Sequence, residues 1–244
     1  FRQCPLENME IKNILNHFKG KNVLVTGHTG FKGSWLAFLL DHVGAKVTGL
    51  ALAPKTNPSL FELLDINGKC NSIIADINSA EDVKQAIDQA QPDYIFHMAA
   101  QPLVRYSYKQ PLETFATNVM GTANVLEACK ILNKKCVVIC ITTDKVYHNY
   151  EWEFPYREND RLGGYDPYSA SKAAAELLIS SYRQSFFTNS NVQIASVRAG
   201  NVIGGGDWAK DRIVPDCMSA WSKGDIVEIR NPNATRPWQH VLEP

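Results

Sequence analysis

Short apolar runs alternate with longer amphipathic stretches along most of this chain. The apolar runs predict six β-strands, over residues 23–26, 46–52, 72–75, 94–98, 136–142 and 193–198. The amphipathic stretches predict four helices between them, over residues 31–43, 80–89, 112–131 and 169–187. Short buried strands joined by helices require crossover connections. The pattern therefore predicts an α/β fold, a doubly wound parallel sheet covered on both faces.

The two ends of the chain depart from this alternation. Residues 1–20 form a polar leader, whose apolar residues at helical spacing are Ile11, Ile14, Leu15 and Phe18. Beyond residue 203 the chain is richer in proline, tryptophan and arginine, and its pattern predicts a helix over 213–221 and a short strand over 226–229. We interpret residues 201–244 as the opening of a smaller second region that stops before a second core is complete.

A glycine-rich turn follows the first predicted strand. Gly27, Gly30 and Gly33 are spaced three residues apart and lead into the helix predicted over 31–43. A dinucleotide pyrophosphate needs this arrangement, because backbone amides must approach the phosphates without an intervening Cβ and a helix N-terminus must face the negative charge. The motif predicts dinucleotide binding, with tight packing of the helix on the sheet as the structural alternative.

The composition is that of an ordinary globular protein. Of the 244 residues, 45% are hydrophobic and 20% charged, and 25 basic residues balance 25 acidic ones, so the formal net charge is zero. Without a global positive field, nucleic acid is not expected as a partner and a small-molecule ligand is favoured. No apolar run approaches the roughly 18 residues of a membrane span, so no membrane partner is expected.

The cysteines give no sign of a metal site. They are Cys4, Cys70, Cys129, Cys136, Cys140 and Cys217, and none of them forms a Cys-x-x-Cys pair. This spacing favours reduced, mostly buried thiols, which predicts a cytoplasmic protein without a bound metal. The N-terminus also has no basic segment followed by an apolar core, so secretion is not indicated.

Tyr168 and Lys172 lie four residues apart near the start of the last long predicted helix, on one helical face. A tyrosine hydroxyl has a pKa of about 10 and becomes a usable base at neutral pH only when positive charge lies close. Lys172 would provide such a charge, as would an oxidised nicotinamide. The pair therefore predicts proton transfer at a substrate hydroxyl.

Polar residues follow the fourth and fifth predicted strands. Thr143, Asp144 and Lys145 come directly after the fifth strand. Because parallel sheets bind ligands beyond the carboxyl ends of their strands, we predict that these side chains act on a ligand; a capped, solvated turn is the alternative. His97 lies near the end of the fourth strand, and we interpret it as a buried residue whose hydrogen bonds are satisfied. Small alanines follow the strand and would let a cofactor lie close to the backbone.

Together these motifs resemble the extended short-chain dehydrogenase/reductases. The motifs are Gly27-x-x-Gly30-x-x-Gly33, Asp76-Ile77, His97-Met98-Ala99-Ala100, Asn118, Thr143 and Tyr168-x-x-x-Lys172. The resemblance spans residues 20 to 244 and implies a Rossmann domain over residues 21–200. It also implies a sugar-nucleotide-binding region that begins at residue 201 and is truncated at residue 244.

Within that superfamily the chain is most similar to the nucleotide-sugar 4,6-dehydratases, and among these to the enzymes that act on CDP-glucose. The segments behind this similarity are residues 99–105, 163–168, 198–208 and 236–240. Lys145 is the residue that best distinguishes the CDP-glucose enzymes from the other members of the superfamily. The dTDP-glucose enzymes carry Asp-Glu where this chain has Asp144-Lys145, and epimerases usually have small residues there.

The resemblance implies NAD as the cofactor and assigns residues to two binding sites. The cofactor residues are Gly27, Thr29, Gly30, Phe31, Gly33, Asp76, Ile77, Ala99, Ala100, Gln101, Asn118, Tyr168 and Lys172. The substrate residues are Asn201, Arg212 and Arg236. One feature departs from the pattern. NAD-binding folds commonly carry an acid about 20 residues after the glycines, whereas this chain has none there and has Lys55, which would suit the 2′-phosphate of NADP.

The implied activity is that of a hydro-lyase converting CDP-D-glucose to CDP-4-keto-6-deoxy-D-glucose. Tyr168, aided by Thr143 and Lys172, would take the proton of the 4-hydroxyl during oxidation by NAD. Asp144 and Lys145 would promote loss of water across C5 and C6 before hydride returns to C6. An ammonium beside Asp144 would lower the pKa of that carboxyl and oppose its use as an acid, unless the two side chains point apart or titrate as a pair.

Two other interpretations stay open. A sugar-nucleotide epimerase or reductase would use Tyr168 and Lys172 without needing Asp144 or Lys145. A truncated dinucleotide-binding protein without turnover would fit the short C-terminal region. Proteins of this family usually form homodimers through helices like those predicted over 112–131 and 169–187, so a homodimer is also expected.

Overall fold

A computed structural model describes residues 16–229 and 231–244 of the chain. Its main element is a sheet of six strands whose neighbours are all parallel. The strands are β1 (Asn22–Thr26), β2 (Lys46–Ala51), β3 (Asn71–Ile74), β4 (Tyr94–His97), β5 (Cys136–Ile141) and β6 (Val192–Val197). Their order across the sheet is β3-β2-β1-β4-β5-β6, which confirms the predicted doubly wound parallel α/β fold.

Helices lie between successive strands of the sheet and continue beyond it. They are α1 (Phe31–His42), α2 (Leu60–Leu63), α3 (Ile66–Lys69), α4 (Ala80–Ala90), α5 (Val104–Lys109), α6 (Pro111–Phe115), α7 (Gly121–Ala128), α8 (Pro167–Phe186) and α9 (Ile213–Trp221). A π-helical turn, Ala116–Met120, joins α6 to α7, and 3-10 turns occupy Cys129–Ile131 and Asp144–Val146. In the part of the chain that the structure describes, no helix is both long and apolar enough to cross a membrane.

The six predicted strands and the helix predicted over 213–221 are confirmed, each strand to within one residue at either end. The long helix predicted over 112–131 is interrupted by the π-helical turn, and the short helices α2, α3 and α5 were not predicted. The leader predicted over residues 1–20 lies mostly outside the described residues, although Phe18 packs edge-on against Tyr94 with ring centroids 5.0 Å apart.

The strand predicted over 226–229 is wrong. That segment is irregular, Ile226 is 96% exposed, and among the described residues no strand pairs with it. The segment that pairs is instead β8 (Trp238–His240), which lies parallel to β7 (Asn201–Ile203). Gly200 permits this, because a Cβ there would be 2.9 Å from the Pro237 oxygen. A strand needs a partner for its backbone groups, and local periodicity does not reveal where one lies.

The core lies on both faces of the sheet. Because successive strand residues point to opposite faces, Leu24 and Val25 of β1 belong to different clusters. The cluster of Leu24 is covered by α4, α7 and α8, and the cluster of Val25 by α1. This two-sided burial explains why the strands read as continuous apolar runs. The domain boundaries after residues 20 and 200 stay a prediction.

The sheet places its ligand-facing residues along one edge. The chain runs outward from β1 to β3 on one side and from β4 to β6 on the other, so the strand order reverses between β1 and β4. The residues that follow these strands, Gly27, Ala99, Thr143 and Arg198, therefore lie along the carboxyl edge. A crevice at such a reversal is the usual ligand site of an open parallel sheet.

Candidate functional site

The turn after β1 requires glycine at two positions for steric reasons. Gly27 has a φ of +80°, and a Cβ there would lie 2.8 Å from the Ala99 nitrogen. A Cβ on Gly33 would lie 2.0 Å from the Gly27 oxygen. These two glycines let α1 and the end of β4 pack closely on β1. The packing interpretation therefore accounts for both of them.

Gly30 differs from its neighbours, because the protein itself does not require glycine there. Its φ of −82° suits any residue, and the nearest described atom to a Cβ would be the Gly27 oxygen at 3.4 Å. Gly30 caps α1 without a side-chain hydrogen bond, and the first turn of α1 contains no acidic residue. The amides at this helix terminus and the open space beside Gly30 fit a phosphate group.

Three other residues predicted to bind the cofactor make contacts within the protein. The Thr29 hydroxyl donates to the Leu52 carbonyl at 2.8 Å. The Asp76 carboxylate accepts the backbone N–H of Asn78 at 2.9 Å. Ile77 packs against Gly121, where a Cβ would be 2.5 Å from the Ile77 Cδ1 atom. These contacts hold the loops after β2 and β3 in place.

Gln101 and Asn118 are buried and bind each other. The Asn118 Oδ1 atom accepts the Gln101 amide at 2.8 Å, and Asn118 Nδ2 donates to the Gln101 carbonyl at 3.1 Å. The second hydrogen on Asn118 Nδ2 goes to the Ser171 hydroxyl at 2.8 Å. Asn118 therefore ties the loop after β4 to the start of α8, and both of its amide hydrogens are used in doing so.

His97 is the satisfied buried residue that the sequence indicated. Its ring nitrogens lie 2.8 Å from the Thr26 hydroxyl and 3.0 Å from the Thr122 hydroxyl. Burial, and to a lesser extent the charge of Lys172, lowers the pKa of His97 to about 3. The ring is therefore neutral at physiological pH and acts as a hydrogen-bonded spacer between β1, β4 and α7.

The helix that carries the Tyr168 and Lys172 pair begins with strong start signals. Asp166 caps α8, accepting the Ser169 amide at 2.9 Å, and Pro167 occupies the first helical position. The Tyr168 amide donates to the Ser107 hydroxyl at 3.1 Å. Both Tyr168 and Lys172 are buried beside the end of β5. These contacts fix the first turn of α8.

The charges of this pair depend on burial. Burial raises the pKa of Tyr168 to about 12, although the neighbouring Thr143 hydroxyl and the charge of Arg212 act in the opposite direction. Burial lowers the pKa of Lys172 to about 8, and its ammonium donates to the Ile141 carbonyl at 3.2 Å. The protein alone therefore holds the phenol neutral. Proton transfer from a substrate to Tyr168 needs additional positive charge beside it.

The three polar residues after β5 form one cluster. The Thr143 hydroxyl donates to Asp144 Oδ1 at 3.0 Å and accepts the Lys145 amide at 3.3 Å. The Lys145 ammonium lies 3.6 Å from Asp144 Oδ1 and donates to Asn201 Oδ1 at 3.3 Å. Asp144 and Lys145 thus face each other as an ion pair and do not point apart. The 3-10 turn over Asp144–Val146 carries both side chains, and the charge of Asp144 acts on Tyr168.

The structure brings one of the two predicted arginines toward this cluster. Arg212 forms an ion pair with Asp207 at 2.8 Å and acts electrostatically on both Tyr168 and Lys32. Arg236 is exposed, and its guanidinium donates to the Thr235 carbonyl at 2.6 Å. The substrate role of Arg236 therefore has no support from its position and stays a prediction.

Three charged residues near the cluster were not predicted. Burial lowers the pKa of Lys32, as do the nearby charges of Arg212 and Lys145. The buried Glu176 and the half-buried Arg198 form an ion pair at 3.0 Å beneath the end of β5. A signal existed for two of them, since Lys32 lies inside the glycine motif and Glu176 follows Lys172 by one helical turn. Nothing local marks Arg198 as the partner of Glu176.

The parallel sheet, the glycine turn and the buried Tyr168-x-x-x-Lys172 helix define an extended short-chain dehydrogenase/reductase. Within that class, residues 24–243 match the family described as GDP-mannose 4,6 dehydratase. The chain belongs to this family.

Two curated relatives show how the chain compares within the family. It is 55% identical over 234 residues to the CDP-glucose 4,6-dehydratase of Salmonella typhimurium, covering 94% of this chain and 65% of that protein. It is 32% identical over 226 residues to the CDP-paratose 2-epimerase of Salmonella typhi, covering 86% of this chain and 64% of that protein. The chain therefore spans slightly less than two thirds of the length of each.

Solved structures share the fold. MoeE5 in complex with UDP-glucose and NAD superposes with a TM-score of 0.75 at 27% identity, covering 91% of this chain and 68% of that one. The UDP-N-acetylglucosamine 4-epimerase from Methanobrevibacter ruminantium superposes with a TM-score of 0.78 at 28% identity, covering 91% of this chain and 70% of that one. An epimerase thus shares this architecture, so the fold alone does not identify the reaction.

Proposed function

We propose that the protein is a nucleotide-sugar 4,6-dehydratase that uses NAD and acts on CDP-glucose. The observation that carries the proposal is the meeting of Asp144 and Lys145 with Thr143 and Tyr168 at the end of β5. An acid and a base beside a tyrosine are what an elimination requires in addition to an oxidation. The choice of CDP-glucose follows the 55% identity with the Salmonella typhimurium enzyme.

The cradle at Gly30 would hold the pyrophosphate of NAD, and Ala99 and Ala100 would let the rest of the cofactor lie against the end of β4. When bound, NAD accepts hydride from C4 of the sugar and returns it to C6. Its oxidised ring would also add positive charge near Tyr168, whose pKa burial otherwise raises to about 12.

Selectivity for NAD over NADP is expected to be modest. No acidic side chain directly follows β2 to bind the ribose hydroxyls of NAD, and the exposed Lys55 there would suit the 2′-phosphate of NADP.

Tyr168 is proposed as the base at the 4-hydroxyl of the sugar. Thr143 contacts the phenol, and Lys172 lies one turn further along the same face of α8. With a pKa of about 8, Lys172 remains mainly protonated at neutral pH and favours a developing phenolate. Thr143 would orient the 4-hydroxyl toward the phenol oxygen.

Asp144 and Lys145 are proposed to remove water across C5 and C6. Once C4 is a ketone, the C5 proton is acidic, and loss of that proton together with the 6-hydroxyl gives an enone. With the one proton that the pair shares placed on Asp144, Asp144 would donate it to the departing hydroxyl, while the Lys145 amine takes the proton from C5 and returns it to C5 when hydride returns to C6. Their charged atoms lie 3.6 Å apart, so the two side chains can serve both proton transfers at one place in the site.

Asn201 and Arg212 are proposed to hold the substrate. Asn201 already accepts a hydrogen bond from Lys145, so its amide nitrogen can face the sugar while its oxygen orients the ammonium. Arg212 is preordered by Asp207 and would bind the diphosphate. Arg236 would join it on the same diphosphate only after a movement of the segment before β8.

Product analysis tests this function directly. The protein and NAD are incubated in parallel with the glucose conjugates of CDP, dTDP, UDP and GDP, and each mixture is examined by mass spectrometry. Loss of one water from CDP-glucose is the expected result. Chromatographic separation before the mass measurement would reveal conversion of a nucleotide sugar without a change in mass, which would indicate an epimerase. No conversion of any substrate would indicate a binding protein without turnover.

The Gly30 cradle leads to a separate prediction. Gly30→Ala is expected to fold normally, because its Cβ would meet only the Gly27 oxygen at 3.4 Å. The added methyl would project into the space proposed for the pyrophosphate, so the Kd for NAD should rise at least about tenfold, or about 1.4 kcal/mol. Isothermal titration calorimetry measures the Kd, and thermal unfolding checks the fold.

Gly205→Ala is the matched control for this substitution, since a Cβ at Gly205 would meet no atom within 4 Å. It should change neither the melting temperature nor the affinity for NAD. Normal NAD affinity in Gly30→Ala would show that the dinucleotide does not approach the backbone at this turn.

We also propose that the protein is a homodimer. The helices α6 and α8 pack side by side, and both present apolar side chains to solvent, with Leu112 85% and Leu177 63% exposed. A second copy placing the same helices against them would cover both residues.

Sedimentation velocity should give twice the mass of the chain, and Leu177→Lys should shift the protein to monomer. Ile226→Lys, at an equally apolar position elsewhere, should leave the dimer intact.

The described cysteines are consistent with the proposed cytoplasmic location. Cys129, Cys136 and Cys140 are free and buried, and burial raises the pKa of Cys140 to about 12. Thiols in this state are unreactive, and a reducing compartment would keep them so.

A further inference from the structure

A buried carboxylate beneath the site takes no part in the proposed chemistry. Glu176 is only 5% exposed and accepts four hydrogen bonds. Two come from the Thr142 and Ser196 hydroxyls, and two from the Arg198 guanidinium, whose Nε and Nη2 atoms each lie 3.0 Å from a carboxylate oxygen. Burial would raise the pKa of Glu176, but the hydrogen bonds from Arg198 and Thr142 hold it below its ordinary value. The carboxylate is therefore ionised and fully engaged.

Glu176 belongs to a row of contacts between α8 and the end of β5. Tyr168, Lys172 and Glu176 are spaced four residues apart, so they share one face of the helix. Tyr168 contacts Thr143, Lys172 donates to the Ile141 carbonyl at 3.2 Å, and Glu176 accepts from Thr142. Three successive helical turns thus bind three consecutive residues of the strand end.

Arg198 extends this row to the other side of the catalytic segment. Its Nη1 atom donates to the Tyr147 hydroxyl at 2.8 Å and to the Glu158 carbonyl at 2.9 Å. Its guanidinium also lies 4.9 Å from the centre of the Tyr147 ring. Tyr147 directly follows the 3-10 turn that presents Asp144 and Lys145. The segment 143–146 is therefore held at Thr142 before it and at Tyr147 after it.

We propose that Glu176 and Arg198 are positioning residues for the reaction, which hold residues 143–145 in register with Tyr168 and Lys172. This inference rests on the proposed function for its catalytic consequence and on the described contacts for its structural part. A buried ion pair is a weak source of net stability, because desolvation offsets the attraction of the charges. It does impose a specific geometry, since the planar guanidinium binds the carboxylate through two parallel hydrogen bonds.

Glu176→Gln tests the catalytic consequence. The substitution keeps the size of the side chain but replaces one carboxylate oxygen by an amide nitrogen. That nitrogen is a donor and cannot accept the hydrogen bond that Arg198 gives at this position. A displacement of about 1 Å at a reacting group can cost about 100-fold in rate. We therefore expect kcat to fall about 10- to 100-fold while KM changes less than about threefold. Glu62→Gln, the same change at an exposed glutamate, should alter neither.

Arg198→Lys provides an independent variant. It retains the positive charge but loses the paired geometry and the contact with Tyr147, so it should show the same loss in kcat with little change in KM. If Glu176→Gln does not fold, Arg198→Lys still tests whether the pair positions residues 143–145. A normal kcat in a folded Glu176→Gln or Arg198→Lys protein would overturn the positioning role, as would an equal loss in kcat and in apparent affinity.

Hydrogen exchange tests the structural part without turnover. In the protein without substrate or NAD, the amides of residues 142–147 should exchange at least about tenfold faster in Glu176→Gln than in the parent, whereas those of β1 and β2 should not change. An equal rise throughout the sheet would show general destabilisation and reject the proposal. If the parent converts no nucleotide sugar, the proposed function fails, and this exchange comparison still decides whether Glu176 holds the segment.

Discussion

Replacing Tyr168 by phenylalanine is expected to lower kcat by about 100- to 10,000-fold, the usual contribution of a positioned acid or base. The phenol is buried, contacts Thr143 and lies on the helical face of Lys172, so its hydroxyl is the group placed to receive the proton of the sugar 4-hydroxyl. The ring itself would remain packed in the variant. Initial rates of water loss from CDP-glucose at saturating NAD measure the effect.

Tyr94→Phe is the control, because Tyr94 begins β4 and lies at the opposite edge of the sheet from the site. Its kcat should stay within about twofold of the parent. Affinity for NAD should change little in Tyr168→Phe, since only one hydroxyl is lost from the proposed cofactor contacts. A Tyr168→Phe protein with nearly normal kcat would assign the base to another group.

The second large effect is expected at Lys145. Lys145→Ala removes an ammonium that lies 3.6 Å from Asp144 and binds Asn201, so proton transfer at C5 should slow by about 100-fold or more. Oxidation at C4 depends on Tyr168 and should continue. Reduced nicotinamide should therefore accumulate on the enzyme and appear in its absorption spectrum, while mass spectrometry shows little loss of water.

This variant also separates the proposed dehydratase from an epimerase. An epimerase has no need of the Asp144 and Lys145 pair, so Lys145→Ala would leave its turnover largely intact. Lys84→Ala, at an exposed position on α4, controls for loss of a positive charge and should behave like the parent. Rapid water loss by Lys145→Ala would exclude this residue from the elimination step.

Local patterns were sufficient to predict most of the sheet. The strands are buried on both faces and the helices on one, so apolar runs and helical spacing identified them directly. The prediction of a strand over 226–229 was wrong because a local pattern does not show whether a strand has a partner. Its residues suit a strand, but β7 and β8 pair with each other across more than 30 intervening residues, and in the described part of the chain residues 226–229 pair with no strand. Strand pairing of that kind is a property of the whole chain.

The candidate site shows the same division. Thr143, Asp144, Lys145, Tyr168 and Lys172 were predictable, because the carboxyl ends of parallel strands converge on one edge and a four-residue spacing shares one helical face. The sequence left open whether Asp144 and Lys145 point apart, and the structure shows them paired at 3.6 Å. It also shows burial raising the pKa of Tyr168, although the nearby lysine had suggested the opposite.

The fold class, the glycine turn and the chemical groups of the site were predictable from the chain alone, because each depends on neighbours within a few residues along it. Which side chains meet becomes visible only in the folded protein. Glu176 and Arg198 are separated by 22 residues and lie on different elements, yet they form the paired contact that spans the catalytic segment. Such contacts depend on how α8 packs against the ends of β5 and β6, and no periodicity in the chain records that packing.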